Sequence, residues 1–169
     1  MNKETNVQLV RQSVAAWNEA RRINSHVLPD LREAELAGVN LSNANLANAD
    51  LTGAKLHLAN LTGADLHGAN LEGAEMNGAN LSSANLAGAN LGSAILTEAN
   101  LQRADLRAAN LERADLYRAN LEGVNLEGAN LNGARWDDAK VDEAILDRFI
   151  MPDTSPLTPP LALNREMQP

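Results

Sequence analysis

A large apolar residue recurs at every fifth position from Leu31 to Leu146, and this period restricts the possible folds. Of the 24 positions in the register, 21 carry Leu, and Met76, Trp136 and Val141 occupy the others. Five residues turn an α-helix by roughly 500°, so successive Leu side chains would point all around it. In a flat strand, an odd period sends successive Leu side chains to opposite faces. The chain must therefore turn a corner within every repeat, as in a β-solenoid.

The residues around each Leu support a cornered coil. Ala lies two residues before each apolar centre from position 36 onward, except at Val39 and Val124. Ten of the eleven Gly residues lie two residues after a centre, where a type II turn needs positive φ. Six successive corners lack Gly, and for these we expect a turn without positive φ. They are Ser93, Glu98, Arg103, Ala108, Arg113 and Arg118.

Each repeat has the form Ala-(Asn/Asp)-Leu-x-x, as in residues 64–73, which read ADLHGANLEG. This pattern resembles the pentapeptide-repeat proteins over about two thirds of the chain. The resemblance implies an all-β solenoid, a right-handed quadrilateral β-helix with four repeats in each coil of twenty residues. The 24 centres would then make about six coils. A spacing of ~4.8 Å between coils predicts a rod roughly 29 Å long.

The sequence divides into three parts. Residues 1–29 predict a capping α-helix and a linker, and residues 30–146 contain the repeat without an insertion. Residues 147–169 predict the end of a C-terminal cap and a mobile tail, because Pro occurs there five times. A short helix over residues 142–150 is expected to close this end of the coil.

The N-terminal segment predicts one amphipathic helix over residues 4–23. Val7, Val10, Val14 and Trp17 recur there at helical spacing. Such a helix covers the unpaired edge of the first coil, which would otherwise recruit another chain. The alternative is a helix that binds a partner. We favour the cap, because solenoids need polar-faced caps to remain soluble.

A coil of twenty residues also stacks Asn upon Asn, so that amides can hydrogen-bond along the axis. This arrangement predicts a structural role for these Asn residues. One column contains Asn40, Asn60, Asn80, Asn100 and Asn120, and another contains Asn70, Asn90, Asn110 and Asn130.

Composition and motifs argue against an enzyme. The chain has no Cys, which excludes thiolate metal sites. His57 and His67 are ten residues apart, hence on opposite walls, and cannot share a metal. An interior of Leu and Ala leaves no pocket, and we expect no catalytic residue, cofactor or metal.

The net charge of −8 disfavours sequence-independent binding to nucleic acid. No secretion signal or membrane-spanning apolar run is evident, so we expect a cytoplasmic protein without a membrane partner. The predicted role is structural, or interaction with another protein, as a monomer or dimer. The resemblance implies an alternative, since some family members mimic DNA and bind type II topoisomerases such as gyrase. Residues 31–146 carry 16 acidic and 8 basic side chains, which agrees in sign with a DNA mimic.

Two surfaces are candidates for interaction. Stacking places Leu58, Ile95 and Tyr117 on one wall, at outward positions where other walls carry small or polar residues. Several apolar groups on one wall suggest an interface, with Tyr117 as an anchor. The other reading is variation at unconstrained surface positions.

The second candidate is a belt of four Arg residues on four different walls, which either forms salt bridges or binds an anionic partner. Stacking predicts that Arg118 lies between Glu98 and Asp138, and that Arg107 lies beside Glu127. The belt consists of Arg103, Arg107, Arg113 and Arg118.

Overall fold

The computed structural model describes residues 2–144, in which two short helices precede a parallel β-helix. Single-residue parallel β-bridges join residues twenty positions apart in four ladders. Each ladder marks one wall, which we name after its first residue. The two corner residues that follow a centre are assigned to the same wall as that centre. The Asp30 wall contains Asp30, Asp50, Asn70, Asn90, Asn110 and Asn130; the Glu35 wall contains Glu35, Lys55, Glu75, Ile95, Asp115 and Arg135; the Asn40 wall contains Asn40, Asn60, Asn80, Asn100, Asn120 and Lys140; the Asn45 wall contains Asn45, Asp65, Asn85, Asp105 and Asn125.

The apolar centres fill the interior. Those from Leu31 to Leu131 are fully buried, and Trp136 and Val141 are only 2% and 6% exposed. Because burying one Leu contributes ~1.5–3 kcal/mol, this column is the main source of stability. The prediction that each repeat turns its centre inward is confirmed for the described residues.

Three of the five backbone N–H groups in a repeat bond to a neighbouring turn. In the repeat 80–84, the N–H of Asn80 donates to the preceding turn, and those of Leu81 and Ser83 donate to the following turn. The respective acceptors are Ala59 O at 2.9 Å, Asn100 O at 2.7 Å and Gln102 O at 2.9 Å.

The remaining two N–H groups are satisfied inside the repeat. Ala84 N donates across the corner to Leu81 O at 3.0 Å. Ser82 N donates to the side-chain Oδ1 of Asn80 at 3.1 Å. Asn or Asp before the centre therefore supplies the acceptor that the backbone lacks, which explains its recurrence in the sequence.

Stacked amides also bond to one another along the rod, as the sequence predicts. On the Asp30 wall, a continuous series runs from Asn130 to Asn70 with N–O distances of 3.0 or 3.1 Å. On the Asn40 wall, similar bonds join Asn60 to Asn40 and Asn100 to Asn80. These side chains are structural.

Every described corner has a positive φ, whether or not Gly occupies it. The six corners without Gly, from Ser93 to Arg118, have φ between 54° and 57°, so the prediction for them is wrong. The cause is the hydrogen bond from each corner N–H to the following turn, such as Arg103 N to Glu122 O at 2.9 Å. A different turn would break this bond, so a non-Gly corner accepts a strain of ~1–2 kcal/mol.

The neighbouring turn, in addition to φ, restricts some of the Gly positions. Seven of the ten corner Gly residues lie twenty positions after a corner that has a side chain. A Cβ at Gly68 would lie 2.5 Å from Asn48 Oδ1, whereas one at Gly88, which follows another Gly, would meet nothing within 4 Å. A corner side chain therefore restricts the next corner at Gly63, Gly68 and Gly78, whereas Arg103, Arg113, Arg118 and Asp138 also follow corners that have side chains.

We expect Gly88→Ala to cost about 1–2 kcal/mol, the strain of Ala at positive φ. Gly68→Ala should cost more, because the Asn48 side chain must also move. Urea unfolding followed by circular dichroism measures both. With Asn48→Ala as the background, the two substitutions should cost the same, and a persistent difference would contradict the crowding argument.

The N-terminal segment contains two helices, α1 (Lys3–Gln12) and α2 (Val14–Ile23), rather than the single helix predicted. Ser13 separates them, ending α1 and capping α2 through a bond from Ala16 N to Ser13 Oγ at 3.1 Å. A straight helix of twenty residues would be ~30 Å long. The break allows both helices to pack on the end of the rod, where Val10 and Trp17 are fully buried. Neither α1 nor α2 is long and apolar enough to cross a membrane, nor is any other helix among the described residues.

Polar side chains of α1 and α2 bond to the backbone of the first turn, residues 30–49. They meet the Asn45 wall through bonds from Trp17 Nε1 to Asn45 O and from Arg21 to Ala47 O, at 2.8 and 2.7 Å. Asn6 reaches the Asp30 wall at 3.3 Å. The two helices therefore cap the rod, as the sequence predicts.

The opposite end departs from the prediction where it is described. Asp142 and Glu143 form another corner, with φ of 57° at Glu143, and do not begin a helix. The rest of the predicted C-terminal helix and the tail lie outside the described residues.

Candidate interaction surface

The Glu35 wall carries a network of charged and polar side chains. Lys55 Nζ lies 2.6 Å from Glu35 Oε1, and His57 Nε2 lies 2.9 Å from Glu75 Oε2. Farther along, Arg135 lies 3.3 Å from Asp115. Each of these pairs joins two successive turns. The outward face of this wall is therefore held in a defined arrangement.

Tyr117 lies between two guanidinium groups on this wall. Arg135 Cζ is 4.4 Å from the ring centroid, and Arg118 Cζ is 4.9 Å from it. The ring is half-buried, and its backbone N–H donates to Asp115 Oδ1 at 3.1 Å. Because cations over an aromatic ring attract its electrons, these contacts restrict the ring and present it in one orientation.

The structure brings together only two of the three predicted apolar residues. Ile95 is 37% exposed and forms a β-bridge with Asp115, so it lies one turn from Tyr117. Leu58 is 74% exposed, and its side chain leans over Gly78. It lies two turns before Glu98, the corner that stacks directly before Arg118. The compact patch is thus Ile95 and Tyr117 with the two Arg side chains, and Leu58 stands apart.

The four Arg residues of the belt lie on four walls and do not form one site. Arg118 lies 3.8 Å from Glu98 and 3.9 Å from Asp138, as stacking predicts. Arg113 lies 3.9 Å from Glu112. Such exposed pairs contribute ~0–1 kcal/mol each. Among residues 2–144, Arg103 has no ion pair.

Arg107 pairs differently from the prediction. Its guanidinium hydrogen-bonds to Asp105, two residues earlier, at 2.6 Å, and Glu127 is a more distant charge. The Asp residue that accepts the corner N–H therefore also captures the corner cation. The hydrogen bond from Arg107 holds the pKa of Asp105 below its ordinary value, against the opposing effect of partial burial. At the first turn, the same arrangement with Arg32 lowers the pKa of Asp30 to about 2.

Because the pKa of Asp105 is lowered by folding, its pair stabilises the protein above the unfolded pKa of about 4 and loses this effect as the pH falls through the folded pKa. Arg107→Ala should therefore reduce stability at about pH 6 by up to ~1 kcal/mol, with a smaller deficit near pH 2. Urea midpoints at several pH values measure the deficit. Arg103→Ala serves as the control and should show no such trend; a deficit for Arg107→Ala that is constant with pH would contradict the assignment.

No group of His, Asp and Glu among the described residues is arranged to hold a metal ion. His57 pairs on the Glu35 wall, and His67 pairs with Asp65 on the opposite Asn45 wall at 2.9 Å. A shallow surface depression of about 180 Å³ occurs at Gly92, which lacks a side chain between Glu72 and Glu112. It is open and does not resemble a catalytic pocket.

Arg135 is the member of the patch that sequence reasoning missed. The position of Arg135 could have been predicted from the sequence, since it follows Asp115 by twenty residues and is therefore stacked upon it. Its contact with the Tyr117 ring could not, because the direction of an outward side chain depends on rotamers that periodicity does not specify.

A parallel β-helix with a filled interior and patterned outer walls places this chain in the class of β-solenoid repeat proteins. The family model for pentapeptide repeats matches residues 30–68, 59–97 and 94–133, more than half of the chain, with eight copies. The chain belongs to the pentapeptide-repeat family, whose β-helix is right-handed. Among curated proteins, no sequence matches this chain.

Similar solved structures include a pentapeptide-repeat protein from the thylakoid lumen of Arabidopsis thaliana, 33% identical with a TM-score of 0.47, over 61% of this chain and 65% of that one. A pentapeptide-repeat protein from Nostoc PCC 7120 is 37% identical with a TM-score of 0.44, over 44% and 62% of the two chains. QnrB1, a plasmid-mediated fluoroquinolone resistance protein, is 20% identical with a TM-score of 0.39, over 71% and 69%. The chain spans less than two thirds of the length of the first two.

Proposed function

We propose that the protein is a non-enzymatic interaction solenoid, a quadrilateral rod of about six coils that binds another protein through its Glu35 wall. The observation that carries this proposal is the Tyr117 ring, held between Arg118 and Arg135 beside the exposed Ile95. Aromatic and Arg side chains that are fixed in place are typical anchors of protein interfaces.

Charge and burial support a protein partner over other ligands. Glu98, Asp115, Asp137 and Asp138 surround the two Arg side chains, so the patch is acidic overall and does not suit a polyanion. A ring that is restricted before binding loses little side-chain entropy when a partner covers it. Leu58 adds a separate exposed apolar contact near the capped end.

The double change Leu58→Ser with Tyr117→Ser should leave the fold intact, because both side chains are outward. Loss of an aromatic anchor costs ~2 kcal/mol, so binding to a partner recovered from the native host should weaken by roughly 30-fold. Calorimetry with that partner measures the affinity, and sedimentation measures self-association. Thr62→Ser with Ala87→Ser, on two other walls, is the matched control. Unchanged affinity and oligomeric state would show that the Glu35 wall is only surface.

Binding of a type II topoisomerase by DNA mimicry is the second candidate, and the excess of acidic residues in the repeat region favours it. Two features place it second. The Asn40 wall carries no charged side chain from Asn40 to Gln102, so negative charge does not surround the rod. On the other walls, Arg32, Lys55 and Arg135 each pair with carboxylates that would imitate phosphates.

A supercoiling assay with purified gyrase separates the two functions. For an interaction solenoid of the first kind, we expect no inhibition by micromolar protein. Inhibition that disappears in high salt would favour the DNA mimic, because charge attraction between exposed groups is screened by ions.

A further inference from the structure

The first turn of the β-helix is only half covered by the N-terminal helices. In later turns, the bridge residue donates its N–H to the turn before, as Lys55 N does to Ala34 O and Asn60 N does to Val39 O. The first turn has no turn before it. On the Asn45 wall, the helices replace the missing partners through bonds with Asn18, Trp17 and Arg21. On the Asp30 wall, Asn6 bonds to the C=O of Asp30.

The Glu35 and Asn40 walls keep free backbone groups at this end, and α2 reaches the Asn40 wall only at its far corner, where Asn18 Nδ2 donates to Asn43 O at 3.0 Å. Among the described residues, nothing accepts a hydrogen bond from the N–H of Glu35 or Asn40, and nothing donates to the C=O of Glu35, Ala37 or Asn40. Glu35, Ala37 and Asn40 are exposed, and Val39, which occupies an interior position, is only half-buried. The edge therefore presents donors and acceptors in the alternation that an adjacent strand requires.

The shape of this end limits what can bind there. The helices are ~10 Å thick, whereas a paired strand would lie ~4.8 Å below the edge. Two copies of this end, joined face to face, would collide through their helices before their edges met. The exposed edge lies lower than the helices beside it. A single extended segment can bind there if it passes beside the helices along two walls and around one corner.

The side chains along the edge also select the segment. Asn40 Oδ1 accepts from Asn60 Nδ2 at 3.2 Å, and Asn40 can offer its own amide to an Asn or Asp placed one turn earlier. Glu35, which bonds to Lys55 at 2.6 Å, favours a basic residue opposite it in the same way.

We propose that the exposed edge at Glu35, Ala37 and Asn40 binds an extended segment of a partner polypeptide by strand addition, with a basic residue opposite Glu35 and Asn or Asp opposite Asn40. Such recognition draws affinity from main-chain hydrogen bonds and specificity from alternate side chains. The edge is remote from Tyr117, so this proposal deepens the protein-binding function without depending on that anchor.

A synthetic peptide with the sequence of residues 54–63, AKLHLANLTG, is a suitable probe, since it carries Lys and Asn at the required spacing. The control peptide is N-methylated at the Leu residues that correspond to Leu56, Leu58 and Leu61, which removes the three N–H groups that would face the C=O groups of Glu35, Ala37 and Asn40. Amide hydrogen exchange is followed by NMR on the full chain. The N–H groups of Glu35 and Asn40 should exchange rapidly in the free protein and at least about tenfold more slowly with the unmodified peptide.

Asn40→Pro gives an independent check. Both Asn40→Pro and Asn60→Pro remove the side-chain acceptor of a corner N–H, but only Asn60→Pro also breaks a backbone bond, the one to Val39 O. Asn40→Pro should abolish the protection of Glu35 by the peptide while changing the melting temperature much less than Asn60→Pro. The proposal is wrong if both amides are already protected in the free chain, if the peptide leaves their exchange unchanged, or if the methylated peptide protects equally. The peptide experiment on the natural sequence decides the matter even where Asn40→Pro fails to fold, and the Leu58 and Tyr117 substitutions should leave it unaffected.

Discussion

The hydrogen bond from a corner N–H to the Asn or Asp side chain two residues earlier is the interaction on which three of the four walls of this rod depend. In the repeat at Asn80, four of the five backbone N–H groups find carbonyl acceptors, and Ser82 N finds the side-chain oxygen instead. An unpaired backbone donor costs as much as a lost hydrogen bond. Where Asn or Asp precedes the centre, its side chain therefore completes the repeat locally; on the Glu35 wall, only Asp115 does so.

Much of the fold followed from the sequence because the period and the interior are coupled. A five-residue register allows only an inward Leu, and the burial of residues from Leu31 to Val141 agrees with it. Corner conformation did not follow, since the backbone keeps positive φ whether or not Gly is present, and crowding at a position such as Gly68 depends on a side chain twenty positions away. The helix break at Ser13 did have a local signal, because Ser is a preferred N-cap, but the continuous spacing of Val10, Val14 and Trp17 across it concealed the break.

The candidate surface was predictable in its position but not in its geometry. Stacking put Ile95 and Tyr117 on one wall and Arg118 between two carboxylates, which the structure reproduces. Arg107 forms its salt bridge with Asp105 rather than with Glu127, because a partner two residues away on the same turn can bond in a bidentate manner. Outward positions carry no constraint from the interior, so the residues most relevant to function are those about which the repeat says least.

The continuous register has a consequence for how such a rod changes length. Adding or removing twenty residues shifts every later side chain along the axis and leaves it above the same wall. Adding or removing five leaves the interior equally well packed but rotates all that follows by a quarter turn. Tyr117 would then point in a different direction around the rod axis relative to α1 and α2, with no loss of core packing. The spacing of Tyr117 from the capped end is thus both a distance and an angle, and repeat number can alter one while keeping the other.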